Sequence, residues 1–196
     1  MQSNSRNYLP EPEPARRGVI LAALATAAVL GGGGVAAFGF VRKSVAEMAD
    51  SAATLPPFAL APLAGVTRNS KPAPAFASAD FNGRMSLLNA WASWCPYCRG
   101  EHAALTRLAV RSGVPLYGLV IDDEAAHVEA FLQRHGNPFA ALGVDTKGAL
   151  TKALDVDGVP ATFVIGPKGT VVASLYEPLT DANVASDIMP ALTMKL

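Results

Sequence analysis

Two cysteines, and only two, occur in the 196-residue chain, and they stand three positions apart in Trp94-Cys95-Pro96-Tyr97-Cys98. Cysteines scattered at random on such a chain would fall at this spacing roughly one time in a hundred. The flanks narrow the reading further. Ser86 to Ala92 (SLLNAWA) is a short apolar run that suits a buried strand, and a helical pattern follows from Cys95 to about Arg111, with Ala104, Leu105, Leu108 and Ala109 on one face. A strand therefore feeds straight into a helix whose first turn carries both sulfurs. Cys95 takes the N-cap and Pro96 the first helical position, where proline loses no hydrogen bond. The Cys95 sulfur then faces unpaired backbone N–H groups at the positive end of the helix dipole, which favours thiolate over thiol. Cys98, one turn on, is placed to attack a mixed disulfide formed on Cys95.

Competing uses of the pair are weaker. A structural disulfide across two intervening residues gains little chain entropy. A metal half-site with His102 places that residue nearly two turns from Cys95 on the same helix, so no metal is expected. Covalent haem attachment needs His directly after the second cysteine, where Arg99 stands. With two cysteines, a multi-disulfide scaffold is excluded as well.

Charge and hydropathy divide the rest of the chain. Sixteen Lys plus Arg balance sixteen Asp plus Glu without a basic block, so no nucleic-acid partner is expected. The mean hydropathy of +0.26 has a local cause, the uncharged stretch from Gly18 to Val41. As a helix it would span roughly 36 Å, more than the ~30 Å hydrocarbon core of a bilayer. It is longer than the apolar core of a cleaved signal peptide and is closed by Arg42 and Lys43, so an uncleaved anchor is the favoured reading. Arg16, Arg17 and Arg6 before it place the N-terminus inside and the C-terminal domain outside. Residues 1–17 are expected to form a disordered cytoplasmic tail, 18–41 a transmembrane anchor, 42–57 an Ala/Ser/Pro-rich linker and 58–196 one globular domain.

Within that domain, Pro115 to Ile121 reads as a second buried strand and Asp123 to His135 as a helix with Val128, Phe131 and Leu132 inward, stopped by Gly136 and Pro138. Thr162 to Ile165 and Val171 to Leu175 flank Gly-Pro-Lys-Gly as a hairpin, and a last helix begins near Asp181. Strands separated by helices argue for parallel pairing, with the hairpin adding antiparallel neighbours. The expected fold is an α/β sandwich on a mixed sheet.

Leu-Leu-Asn-Ala-Trp-Ala-Ser-Trp-Cys-Pro-Tyr-Cys-Arg-Gly-Glu-His resembles the active-site strand and helix of thioredoxin-fold proteins. Among these the chain most resembles the membrane-anchored CcmG/DsbE type of cytochrome c maturation, with the TlpA and ResA group close by. The resemblance covers roughly Leu55 to Leu192. Ile121-Asp122-Asp123, His135-Gly136-Asn137-Pro138-Phe139, Gly143-Val144-Asp145 and Val156-Asp157-Gly158-Val159-Pro160 support it. The last is similar to the family's Gly-Val-x-Gly-x-Pro-x-Thr-Phe segment, which implies a cis Pro160 facing the cysteines and a Val159 backbone that pairs with a client. A family insert is implied at about Asn137 to Leu154.

The resemblance implies a thiol:disulfide oxidoreductase working as a reductant, with a catalytic Cys95–Cys98 pair, a client surface of Trp94, Pro96, Tyr97, Val159 and Pro160, and no cofactor beyond the redox-active disulfide. Its implied clients are apocytochrome c haem-site cysteines or their carriers, and its implied electron source a membrane donor of the CcdA/DsbD type. The implied location is the bacterial inner membrane with the domain facing the periplasm. A TlpA-like role in copper-site assembly and a non-catalytic Cu(I) metallochaperone are the alternatives. The chain departs from the family where Ala161 replaces the Glu that usually follows the cis proline, and Asn89 stands where thioredoxin has a buried Asp. With Asn there, proton transfer at Cys98 is expected to use water or another group. Arg99 and Glu101 read as a solvated helix face, Asp123 as a helix cap or an acid–base group, Trp91 as core, and His127 and His135 as residues without an identifiable partner.

Overall fold

A computed structural model describes residues 53–194. The tail, the apolar stretch from Gly18 to Val41 and the first part of the linker lie outside the described residues. Among the described residues no helix is long and apolar enough to cross a membrane.

Alternation along the strands organises the fold. In β3 (Ser86–Trp91), flanked by β4 (Leu116–Val120) and β6 (Ala161–Ile165), every side chain is buried. Such a strand must be covered on both faces. Leu87, Trp91, Leu116, Val120 and Val164 pack on one side with Leu105 and Leu108 of α1 (Pro96–Ser112) and with Val128, Phe131 and Leu132 of α2 (Ala125–His135). Leu88, Ala90, Tyr117, Leu119, Phe163 and Ile165 face the other way, onto Phe76, Phe81 and Leu150 of α3 (Ala149–Ala153). Each fully buried Leu or Phe contributes about 1.5–3 kcal/mol of transfer free energy, so the sandwich is held by its period-two pattern.

The five strands run in the order β5-β4-β3-β6-β7, with β5 at Ala141–Val144 and β7 at Val171–Leu175. The β3/β4 and β4/β5 pairs are parallel, and the β3/β6 and β6/β7 pairs antiparallel. This is the mixed sheet expected from the alternating strands and helices. A separate two-residue ribbon joins β1 (Thr67–Arg68) and β2 (Lys71–Pro72). The chain closes on a helical run of three pieces, Asp181–Asn183, a π turn at Val184–Ile188 and Met189–Leu192.

Two features were not legible as elements. Part of the stretch read as linker belongs to the domain: the Leu55 N–H donates to the Gly169 carbonyl at 2.8 Å, Val171 N–H donates to Ala53 at 2.8 Å, and Leu55 is buried in the core. The stretch from Asn137 to Leu154 supplies the edge strand β5 and helix α3, and Ala61 straps that edge through reciprocal bonds with Val144 of 3.1 and 2.9 Å. A strap of this kind covers an edge that would otherwise invite pairing with another chain.

Register positions the site. Ala161, directly after Pro160, pairs with Ala90 in β3. The loop leaving β3 towards Cys95 and the loop delivering Pro160 to β6 therefore emerge at the same end of the sheet.

Candidate active site

Cys95 is the N-cap of α1, with Pro96 as the first helical residue. Its sulfur accepts the Cys98 backbone N–H at 3.4 Å and its thiol donates to the Val159 carbonyl at 3.4 Å. The Val159–Pro160 peptide is cis. Both cysteines are free and both are enclosed, Cys95 at 3% and Cys98 at 4% exposure. Exposure therefore does not separate a nucleophile from a resolver. The surroundings of Cys98 bear on its part. Burial first, then the hydrogen bond to Cys95 and the negative charges of Cys95 and Glu101, push the Cys98 thiol far above its usual range, against a smaller opposing contribution from the Ala92 backbone.

The rim is apolar and exposed. Trp94 is 56% and Tyr97 68% exposed, and Pro96 stands out beside them. The Trp94 indole N–H donates to the Asp122 carbonyl at 2.9 Å, while the Asp123 carboxylate accepts the Ser93 and Glu124 N–H groups. Asp123 thus anchors the loop before Cys95, and the N-cap of α2 is Glu124. A groove of about 560 Å³ opens beside Val159 and Pro160, lined by Tyr97, Asp155, Asp157, Tyr176 and Glu177 among others. Pro160 is buried and Val159 half-buried at its floor.

Behind the sulfurs lies an arrangement that corrects the solvated-face reading of Glu101. Glu101 is 3% exposed; its carboxylate accepts Asn89 Nδ2–H at 3.1 Å and the Leu179 N–H at 2.6 Å. Burial raises its pKa from 4.5 to about 6 against the lowering pull of those two donors. Asn89 Nδ2 also approaches Thr162 Oγ1 at 3.1 Å. The reason is helical phase. Cys98, Glu101, Leu105 and Leu108 recur at three- and four-residue steps on the buried side of α1, a signal present in the sequence but overridden by the charge of Glu101. Arg99, by contrast, is exposed.

The histidines sit apart from the sulfurs. His102 Nε2 donates to the Gly136 carbonyl at 3.0 Å, its ring lies edge-on to Phe131 at 4.9 Å, and burial holds its pKa below the ordinary value. Trp91 is core, stacked on Phe139 at 5.2 Å, and His135 packs on Phe131 at 4.6 Å. His127 has an exposed partner in Glu124, 4.0 Å away.

A Cys-x-x-Cys at a helix start beside a cis proline, on this five-stranded sheet, defines a thioredoxin-fold dithiol domain. Residues 51–188 match the Redoxin family. The thiol:disulfide interchange protein DsbE of Allochromatium vinosum is 36% identical over 133 residues, covering 61% of this chain and 73% of the relative. The DsbE homolog of Paracoccus denitrificans is 37% identical over 112 residues, which span 57% of this chain and 62% of that relative's length. Two solved structures share the fold: a secreted disulfide oxidoreductase of Mycobacterium tuberculosis (TM-score 0.54, 20% identity, 66% of this chain and 92% of that one) and StoA of Bacillus subtilis (0.53, 21%, 68% and 97%). The chain belongs to the Redoxin family, among the DsbE-type thiol:disulfide interchange proteins.

Proposed function

We propose that the protein is a thiol:disulfide oxidoreductase working as a reductant in cytochrome c maturation, with apocytochrome c haem-site cysteines or their carriers as clients. The observation that carries this reading is the inequality of the two sulfurs. Cys95 receives a backbone N–H at a helix start, and Cys98 is held protonated by burial and neighbouring charge. In the forward step the Cys95 thiolate attacks one sulfur of a client disulfide, forming a mixed disulfide and expelling the client's other sulfur as thiolate. Cys98 then loses its proton and attacks Cys95, releasing the second client thiolate and leaving a Cys95–Cys98 disulfide. The client gains two electrons as its two thiolates, which become thiols by taking up the proton lost from Cys98 and one more from water, and no cofactor beyond the dithiol takes part. Glu101, three residues along the helix and carrying a pKa of about 6, is the acceptor for the Cys98 proton, the part that Asn89 cannot play.

Trp94, Pro96 and Tyr97 form the apolar contact for the client, and the Val159 backbone at cis Pro160 is its strand partner. The spent disulfide is recharged by a membrane donor of the CcdA/DsbD type. We place the domain on the periplasmic side of the inner membrane, anchored by Gly18 to Val41, a tether that raises its effective concentration beside that donor. Cys95→Ser should abolish covalent haem attachment to c-type cytochromes in cells, with added small-molecule thiols restoring part of it. Normal cytochrome c together with a copper oxidase lacking its metal would transfer the role to copper-site assembly. A dithiol found mainly oxidised in growing cells would refute the reductant.

A further inference from the structure

A second cavity, of about 190 Å³, opens on the α2 side of the dithiol, and its lining is basic. Arg99, Arg134, His127 and His135 converge on it with Ser93 and the ring of Phe131. Neither Arg99 nor Arg134 has a carboxylate within ion-pair distance among the described residues. Ser93, 8% exposed, is part of the lining. Two carboxylates stand at the margin, and both are engaged: Asp123 with the Ser93 and Glu124 N–H groups, Glu124 with His127. Two guanidinium groups without an ion-pair partner among the described residues, with a serine and two imidazoles beside them, make this small cavity a place for an anionic group.

Resting on the reductase reading, we infer that this pocket takes a carboxylate of the disulfide client, from an acidic residue near the client cysteine. Position argues for a client group rather than a free ion. Ser93 lies two residues before Cys95, and Arg99 follows Cys98 and donates its backbone N–H to the Cys95 carbonyl at 3.1 Å. The pocket's lining thus includes residues from both flanks of the Cys95–Cys98 turn. The groove on the other side carries the opposite charge, from Asp155, Asp157 and Glu177. A client acid is therefore repelled from the groove at Val159 and attracted to the pocket at Arg99. The two cavities set the orientation in which the client disulfide meets Cys95.

The test compares two cystine peptides that differ only in glutamate or glutamine beside the cysteine, with oxidation of the reduced full-length protein followed by tryptophan fluorescence. The wild type should favour the glutamate peptide by about tenfold in rate constant, and the preference should shrink between ~0.05 M and ~1 M salt as the charges are screened. Arg99→Gln with Arg134→Gln should bring the glutamate-to-glutamine ratio close to one, and the paired lysine variants should restore most of it. A wild-type ratio near one, or a ratio indifferent to both arginines, overturns the inference while leaving the reductase intact. A thermal shift with inorganic phosphate, lost in the double variant and unaccompanied by any peptide preference, would make the pocket a free-ion site and overturn it equally. Failure to reduce either peptide would instead remove the reductase reading on which it rests.

Discussion

Glu101 offers the sharpest perturbation because its burial is energetically visible. Its carboxyl titrates at about 6 in the folded protein against an ordinary 4.5. At ~1.4 kcal/mol per factor of ten in proton affinity, that displacement corresponds to about 2 kcal/mol. Below pH 4.5 the carboxyl is protonated whether the chain is folded or not, and this stabilisation is fully present. Between pH 4.5 and 6 the unfolded chain releases its proton first, so stability falls, and above pH 6 the loss is complete. Glu101→Gln removes the titration. The glutamine oxygen can still accept from the Leu179 N–H, while its amide competes with the Asn89 donor, a fixed penalty that does not change with pH. Urea unfolding of the reduced protein and the variant at pH 4 and pH 7.5 gives a double difference from which other titrating groups cancel. The wild type should lose about 2 kcal/mol more than the variant over this range. A double difference under ~0.5 kcal/mol would show that the carboxyl is solvated in the folded protein and would remove Glu101 from the proton path.

Limiting iodoacetamide should label Cys95 before Cys98 by at least about tenfold, because only thiolate reacts and burial pushes the Cys98 thiol far above its usual range; preferential labelling of Cys98 in a peptide map would reverse their roles. Leu55→Ala should lower unfolding stability by about 2–3 kcal/mol, since Leu55 is core, whereas a residue in a free tether would change it by under ~0.5 kcal/mol. A Cβ on Gly143 would lie 2.7 Å from Leu60 Cβ and 2.9 Å from the Ala61 carbonyl, so Gly143→Ala should destabilise by about 1–3 kcal/mol in the same assay. Gly100→Ala meets nothing within 4 Å on an exposed helix surface and should stabilise by up to ~1 kcal/mol, which serves as the contrast.

Local chemistry was legible where one pattern dominated. SLLNAWA, PLYGLVI and the pair around Gly-Pro-Lys-Gly became β3, β4 and the β6/β7 hairpin, because apolar runs bounded by glycine and proline leave few alternatives. Cys95 as N-cap and Pro96 as first helical residue follow from capping rules that act within one turn. Long-range placement was less legible. Nothing in the composition of Ala53 to Pro57 shows that Leu55 finds a partner at Gly169, more than a hundred residues on. β5 is only four residues, Ala-Leu-Gly-Val, too short for periodicity to register. Glu101 was misread because charge predicts exposure for most carboxylates, and its two buried partners come from β3 and from the segment before the last helix. The basic pocket likewise joins a loop, the first turn of α1 and one face of α2 from His127 to His135, a juxtaposition set by the α1/α2 packing on the sheet.

In the proposed exchange, the arrangement at the dithiol makes the resolving step depend on the attacking step. Two of the causes that hold the proton on Cys98 come from Cys95 itself, the hydrogen bond to its sulfur and its negative charge. Both lapse when Cys95 becomes one half of a mixed disulfide, because the sulfur then carries no charge and is a poor acceptor. Burial and Glu101 remain, and Glu101 is itself a base near neutrality. Proton affinity at Cys98 therefore falls when Cys95 is held in the mixed disulfide. Before a client arrives, Cys98 stays a thiol and cannot compete with Cys95 for the incoming disulfide. On this reading the order of attack rests first on the burial of Cys98 and then on its hydrogen bond to Cys95 and the charge there, so two equally enclosed cysteines can take opposite parts in the exchange.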